Sequence, residues 1–314
     1  MYLGIDLGGT NIAVGLVNEN GKIIKKESTP TIKSRAYTEI VKDMARLCKN
    51  VVRKSGKTMD DVKAIGMGSP GTVDNSRGMV VYANNLKMDH SPIAAELQKY
   101  INKPINIEND ANAAAYGEYI AIGRKMKGFV FMTLGTGVGG GIIIDGQIYR
   151  GFNGAGAEIG HTSIVFNGKK CTCGKLGCLE MYASVTALKA QTRAIMNANP
   201  NSIMHDWEKK KGIISGRTAF ECAKAGDKAA IEARDNYIRY VAEGISNMVN
   251  IFQPEMFVIG GGISREGDEL LLPIREFVYA NDYNKHMPKT EIRIARLFND
   301  AGIVGAALAA KNME

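Results

Sequence analysis

Twice in this chain an apolar strand runs into a glycine turn and returns at once as a second strand. The first copy covers residues 2–7, Gly8-Gly9-Thr10 and 12–17; the second covers 129–134, Gly135-Thr136-Gly137 and 139–145, about 127 residues further on. Ile12, Val14 and Leu16 alternate with smaller residues, the period of a strand with one buried face. A recurring unit of this kind restricts the chain to a duplicated α/β architecture with two related lobes. The spacing elsewhere predicts helices over 38–55 (Ile40, Met44, Leu47 and Val51 on one stripe), 91–101, 110–120, 179–197, 219–225, 228–252, 269–279 and 301–310. It predicts strands over 22–27, 62–68, 104–108, 256–259 and 291–295. Glu19-Asn20-Gly21 and Asp145-Gly146 carry hairpin-turn signals. No Pro- or Ser-rich linker marks a boundary.

At 314 residues, 45% hydrophobic and 23% charged, the chain suits one large globular domain or two ordinary ones. No apolar run approaches the ~20 residues of a membrane span, and no signal peptide precedes the first strand. The net charge of +8 comes from scattered lysines with small clusters at 22–26, 124–127 and 209–211. None is interleaved with aromatics, which argues against a nucleic-acid groove. A mildly basic surface suits anionic substrates such as nucleotides.

Three of the five cysteines, Cys171, Cys173 and Cys178, lie with His161 in eighteen residues. That is a complete Cys3His donor set for a tetrahedral zinc ion, with Gly174 and Gly177 placed for tight reversals. The alternative is three unrelated buried cysteines beside a core histidine. With the remaining Cys48 and Cys222 isolated, the pattern implies a reducing cytoplasm rather than a disulfide framework. Glu158 and Glu180 flank the loop, and a structural metal would hold them as the wall of a site.

Turns of Gly and Thr let backbone N–H groups approach an anion with no Cβ in the way. One such turn can merely reverse the chain. Two, each after an apolar strand and each with a threonine, point to a polyphosphate between two lobes, with Asp6 placed to hold Mg²⁺ directly or through water. Neither turn is a P-loop, since no Gly-Lys-Ser/Thr follows, nor a dinucleotide fingerprint, since a strand comes next. A third group, Gly260-Gly261-Gly262, suits close approach to adenine and ribose, or simply a helix start needing room. Asn109 and Asp110 sit where a strand gives way to a helix. Asp110 is then either an N-cap or a cleft-facing base that orients an attacking hydroxyl, its ionised form favoured by helix N–H groups.

Asp6-Leu7-Gly8-Gly9-Thr10, Glu108-Asn109-Asp110-Ala111-Asn112, the run from Leu134 to Gly141, Glu158-Ile159-Gly160-His161 and the Cys171–Glu180 segment together resemble the ROK family of sugar kinases and sugar-responsive repressors. The resemblance covers nearly the whole chain, and its bacterial glucokinases look most similar. It implies an α/β, two-lobed actin-like ATPase fold of duplicated ribonuclease-H-like units with a zinc-binding loop. A small lobe would span 1–112 plus 300–314, and a large one 113–299 with the zinc loop at 161–180. It further implies ATP-dependent phosphorylation of a hexose, glucose at its 6-hydroxyl, with Asp110 as base. Sugar contacts would come from Gly71, Asn109, Asp110, Glu158, His161 and Glu180, with His161 also a zinc ligand. ATP and Mg²⁺ would be held by Asp6, Gly8, Gly9, Thr10, Asn11, Gly135, Thr136, Gly137, Gly261 and Gly262. A dimer or tetramer is expected.

Asn11 stands where many family kinases have lysine, and Met88 where many glucokinases have tryptophan. Those departures leave N-acetylglucosamine, N-acetylmannosamine, allose and fructose as alternative substrates. The alanine at 157, ahead of Glu158, has no sequence-level explanation. A repressor would need a helix-turn-helix ahead of the first strand, for which Tyr2 leaves no room. A zinc-stabilised scaffold without catalysis sits poorly with Asp6, Asp110 and both glycine turns present.

Overall fold

The computed structural model describes residues 1–123 and 125–311. Arg124, in the basic cluster at 124–127, and the last three residues of the expected 300–314 segment lie outside the described residues. The chain opens with strands β1 (Tyr2–Leu7), β2 (Asn11–Val17) and β3 (Ile23–Pro30), helix α1 (Tyr37–Lys54) and strand β4 (Ala64–Ser69). Strands β5 (Thr72–Asp74), β6 (Met79–Ala83) and β7 (Met88–Ser91) follow, then α2 (Ile93–Gln98), β8 (Ile105–Asn109) and α3 (Asp110–Ile122). Next come β9 (Gly128–Leu134), β10 (Val138–Ile144) and β11 (Gln147–Ile148). The helices α4 (Glu180–Ala183), α5 (Val185–Ala198), α6 (Met204–Lys211), α7 (Arg217–Lys224) and α8 (Lys228–Phe252) lead to β12 (Met256–Gly260), α9 (Asp268–Asn281), β13 (Glu291–Ile294) and α10 (Ala301–Lys311).

Two five-stranded sheets share one design. Their orders are β3-β2-β1-β4-β8 and β11-β10-β9-β12-β13. In the first, β1 pairs antiparallel with β2 and parallel with β4, which pairs parallel with β8. In the second, β12 runs parallel to both β9 and β13, while β10 pairs antiparallel with β11. β1 and β9 therefore occupy equivalent positions, as do β4 and β12. The register carries the equivalence to single residues: Asp6 lies opposite Gly68 of β4, and Thr133 opposite Gly260 of β12. A third sheet, β5-β6-β7, is the antiparallel insertion between β4 and β8.

The chain clusters into two compact units, Met1–Lys125 with Gly141–Ala157 and Arg296–Glu314, and Met126–Gly140 with Glu158–Ala295. The expected boundary at residue 112 would cut α3, which stays whole in the first unit. Close helix packing explains this: a Cβ at Gly305 of α10 would stand 1.7 Å from the Ala113 carbonyl oxygen of α3. Gly66 of β4 meets the Ala306 carbonyl oxygen the same way, also at 1.7 Å. α10 therefore lies directly on both the sheet and α3, and its residues 301–310 are all buried. The other face of that sheet takes α1, whose Ile40, Met44, Leu47 and Val51 are all buried as their spacing requires.

Some elements depart from the expected pattern. The helix expected over 179–197 is broken at Ser184, whose backbone is extended and whose Oγ caps α5 by accepting the Ala187 N–H at 3.0 Å. The helix expected from 91 begins at Ile93, because residues 88–91 are drawn into β7. The small sheet and α6 had no clear periodic signal. A sheet whose strands are three to five residues long offers too few alternations to read.

Candidate active site

The strand-to-helix junction after β8 sets the first unit's site. The N-cap of α3 is Asn109, not Asp110: its Oδ1 accepts the N–H groups of Ala111 and Asn112 at 2.9 and 3.1 Å. Its Nδ2 donates to the Gly71 carbonyl oxygen at 3.1 Å. Gly71 has φ 84, and a Cβ there would lie 2.1 Å from the Tyr82 carbonyl oxygen, so only glycine fits this junction. Capping by Asn109 relieves Asp110 of that role, and the Asp110 carboxylate accepts the Ala111 N–H at 2.8 Å. The helix start was expected to favour the ionised form. Instead burial outweighs the backbone donors and raises the Asp110 pKa.

Asp6, at the end of β1, is the neighbouring acid. Burial first, then the charge of Asp110, lifts its pKa to about 6. Gly302 of α10 lies against it, its Cβ position 3.0 Å from the carboxyl carbon. The turn beyond is closed by Gly8 N–H donating to the Asn11 carbonyl oxygen at 2.9 Å and by Thr31 Oγ1 donating to the Gly8 carbonyl oxygen at 2.8 Å. Thr10 and Asn11 are exposed at its tip. A cation comes from elsewhere in the chain: Lys33 Nζ lies 3.7 Å from the Cβ position of Gly9.

In the second unit, three expected pieces meet at Val138, where β10 begins. Glu180 Oε2 accepts the Val138 N–H at 2.9 Å and fills the space a side chain at Gly137 would need. Gly160, in the 3-10 turn Ile159–His161 that follows Glu158, packs on the Val138 carbonyl oxygen, where a Cβ would stand at 2.1 Å. The break at Ser184 matters here, because it lets Val185 N–H donate to the Gly135 carbonyl oxygen at 2.8 Å while Glu180 stays over the turn. Thr186 Oγ1 adds a bond to the Thr136 carbonyl oxygen at 2.7 Å. Above this turn opens a cavity of about 350 Å³, lined by Leu134, Gly135, Thr136, Val185, Thr186, Lys189, Ser215, Gly216, Arg217, Gly262 and Ile263. Gly262 borders it with open space at its Cβ, whereas Gly261 (φ 86) packs beneath on the Leu134 backbone.

The loop at 161–180 gathers its donors. His161, Cys171, Cys173 and Cys178 place one ligand atom each within 4.8 Å of one another. Cys171 Sγ lies 3.6 Å from His161 Nδ1, and Cys173 Sγ 3.6 Å from Cys178 Sγ. A zinc ion with bonds near 2.3 Å to sulfur needs ligand separations of about 3.8 Å, so the set fits a tetrahedral zinc. Nδ1 being the nitrogen in the cluster, Nε2 is the one left for another partner. Burial pushes the Cys178 thiol up to about 12, so metal binding must displace protons, and zinc affinity falls as pH falls. Gly177 (φ 77) permits the loop to close, since a Cβ would stand 1.7 Å from the Val165 carbonyl oxygen.

Several residues escaped the sequence reading. Lys33, Lys189, Ser215 and Arg217 are set by distant packing, although Ser215-Gly216-Arg217-Thr218 does read as a helix start. Ala157 proves to have φ 65, a left-handed backbone that costs a non-glycine residue about 1 kcal/mol. Glu108 is 1% exposed and carries a buried charge; its motif was visible but its partner, Arg150, was not.

Duplicated sheets of matching order, each with a glycine turn after its leading strand, make an α/β structure of the actin-like ATPase fold. The family profile described as ROK family matches residues 2–313. A glucokinase of Halalkalibacterium halodurans is 35% identical over all of this chain and 96% of its own length. A xylose repressor of Caldicellulosiruptor bescii is 31% identical over 96% of this chain and 76% of its own. The crystal structure of a ROK family glucokinase from Streptomyces griseus in complex with glucose and AMPPNP superposes with a TM-score of 0.85, at 34% identity, covering 99% of each chain. The chain belongs to the ROK family.

Proposed function

We propose that this protein is an ATP-dependent hexose kinase that phosphorylates glucose at its 6-hydroxyl. The observation that carries the reading is Asp110: a half-buried carboxylate at a helix start, freed from capping by Asn109 and with its pKa raised by desolvation toward a working base. In this reading Asp110 orients the 6-hydroxyl and accepts its proton as the γ-phosphate is transferred. Gly71, Asn109, Glu158, His161 through Nε2, and Glu180 bind the sugar. Nucleotide contacts come from Asp6, the turn Gly8 to Asn11 with Lys33 beside it, the turn Gly135 to Gly137, and the cavity bordered by Gly262 and floored by Gly261. Mg²⁺, held by Asp6 directly or through water, would neutralise phosphate charge. Zinc at His161, Cys171, Cys173 and Cys178 would fix the loop between Glu158 and Glu180.

Identity favours the kinase over the repressor reading, at 34–36% for four glucokinases against 28–31% for the xylose repressors. A dimer or tetramer in the cytoplasm, without nucleic acid as partner, completes the proposal. The deciding experiment is a coupled ADP-release assay with ATP and a panel of glucose, fructose, allose, N-acetylglucosamine and N-acetylmannosamine. The highest kcat/KM is expected for glucose. A better rate on an N-acetylated sugar would move the assignment to that substrate, and no turnover on any hexose would reject it.

A further inference from the structure

Arg150 lies in the loop after β11, far in sequence from the strand-to-helix junction at 108–112, and no expected site residue touches it in the sequence reading. Its Nε and Nη2 both reach Glu108 Oε2 at 2.7 Å. The other oxygen, Oε1, accepts the Asn109 N–H at 3.0 Å and Asn112 Nδ2 at 3.2 Å. Four donors thus occupy the four lone-pair directions of one buried carboxylate. Two belong to Arg150 and two to the first turn of α3, the residues on either side of Asp110. The main chain of Arg150 makes a second tie: its carbonyl oxygen accepts the Gly156 N–H at 2.8 Å, closing the loop 151–155 that runs on to Glu158. Gly156 packs so closely there that a Cβ would stand 2.8 Å from the Arg150 carbonyl carbon.

We propose that Arg150 is a positioning residue for phosphoryl transfer. Through the guanidinium on Glu108 it sets the orientation of Asn109 and Asp110, and through its own carbonyl it holds the loop preceding Glu158, so one residue couples base and sugar-binding segments. This rests on the kinase reading. A lysine could supply the charge but not the planar fork that occupies one oxygen from two directions. Removing the guanidinium leaves a buried charge short of two donors, and the helix start must shift to compensate. None of the residues lining the nucleotide cavity takes part in this network.

The test uses the full-length protein and the variants Arg150→Gln, Arg150→Lys and the charge-neutral pair Glu108→Gln/Arg150→Gln. Expected for Arg150→Gln is a fall in kcat of at least ~10-fold and a rise in hexose KM, with the KM for ATP within about twofold of the parent, the scale of a misplaced catalytic group. Arg150→Lys should recover only part of the loss, and the double variant should exceed Arg150→Gln in kcat. Hydrogen exchange, which needs no activity, should show faster exchange at Ala111, Asn112 and Gly156 in Arg150→Gln. Parental kcat and parental exchange in a folded Arg150→Gln would overturn the proposal. If that variant does not fold, parental kcat in Arg150→Lys and in the double variant overturns it equally. An inactive parent would sink the kinase reading instead, and the exchange data would then decide the positioning claim alone.

Discussion

The two strand–turn–strand copies share topology and register but not chemistry. At matching places opposite Gly68 and Gly260 stand Asp6 and Thr133, an acid in one copy and a neutral hydroxyl in the other. The first turn leaves a half-buried carboxylate, Asp6, near a second one, Asp110, and desolvation first, then their repulsion, lifts the Asp6 pKa. The second turn is instead tied down by its surroundings, with Glu180, Val185 and Thr186 bonding to Val138, Gly135 and Thr136. Duplication supplied two equal scaffolds. Divergence at the strand end separates them: one copy holds titratable charge, the other holds backbone still beside a cavity. A related contrast holds between neighbours, since Glu108 takes side-chain donors from Arg150 and Asn112 while Asp110 is met by backbone N–H at its own helix start.

The largest effect should fall on the first copy. Asp110→Asn should fold normally and lose at least ~100-fold in kcat, the usual worth of a positioned base, with ATP affinity little changed. Steady-state kinetics beside circular dichroism would check it, and near-parental turnover would erase the assigned division of labour. Next comes the second unit's metal loop. Elemental analysis in reducing buffer should find about one zinc per chain, and Cys173→Ala or a chelator should raise the hexose KM about tenfold before kcat falls. A metal-free preparation with unchanged KM would remove the loop from the site.

The last effect is read in stability rather than in turnover and separates the matched pair directly. The folded-state pKa of Asp6 is raised from 3.8 to about 6, so the folded protein binds the proton more tightly than the unfolded chain. Stability linked to Asp6 is therefore fully present below about pH 4 and lost as pH rises through about 6, by up to about 3 kcal/mol in metal-free buffer. Urea midpoints in EDTA at pH 4.5 and 7 should show that loss in the parent and a flatter profile in Asp6→Asn. Thr133→Val, at the matching strand end, should leave the pH profile unchanged. Equal slopes in the parent and Asp6→Asn would refute the charge argument.

Much of this molecule was legible because its signals are local. The apolar stripe of α1, the long α8 at 228–252 and the Cys3His spacing each follow from side chains a few residues apart. The helix break at Ser184 was not legible, since an unbroken helical pattern runs across it and the broken form is held by the Ser184 cap together with bonding to the distant Gly135 turn. The short strands β5 to β7 gave too few alternations to register, and Met88 was read only as a departure, although it is a buried residue of β7.

Residue order alone determined the duplicated α/β design, the two glycine turns, the four metal donors and the position of Asp110 at a helix start. Each depends on periodicity or spacing along the chain, which folding preserves. Tertiary structure alone decided that Asn109 takes the cap, that burial drives the Asp110 pKa up, and that Arg150 closes on Glu108 from 42 residues away. Desolvation and long-range pairing are set by what surrounds a group in space, and no local pattern encodes that.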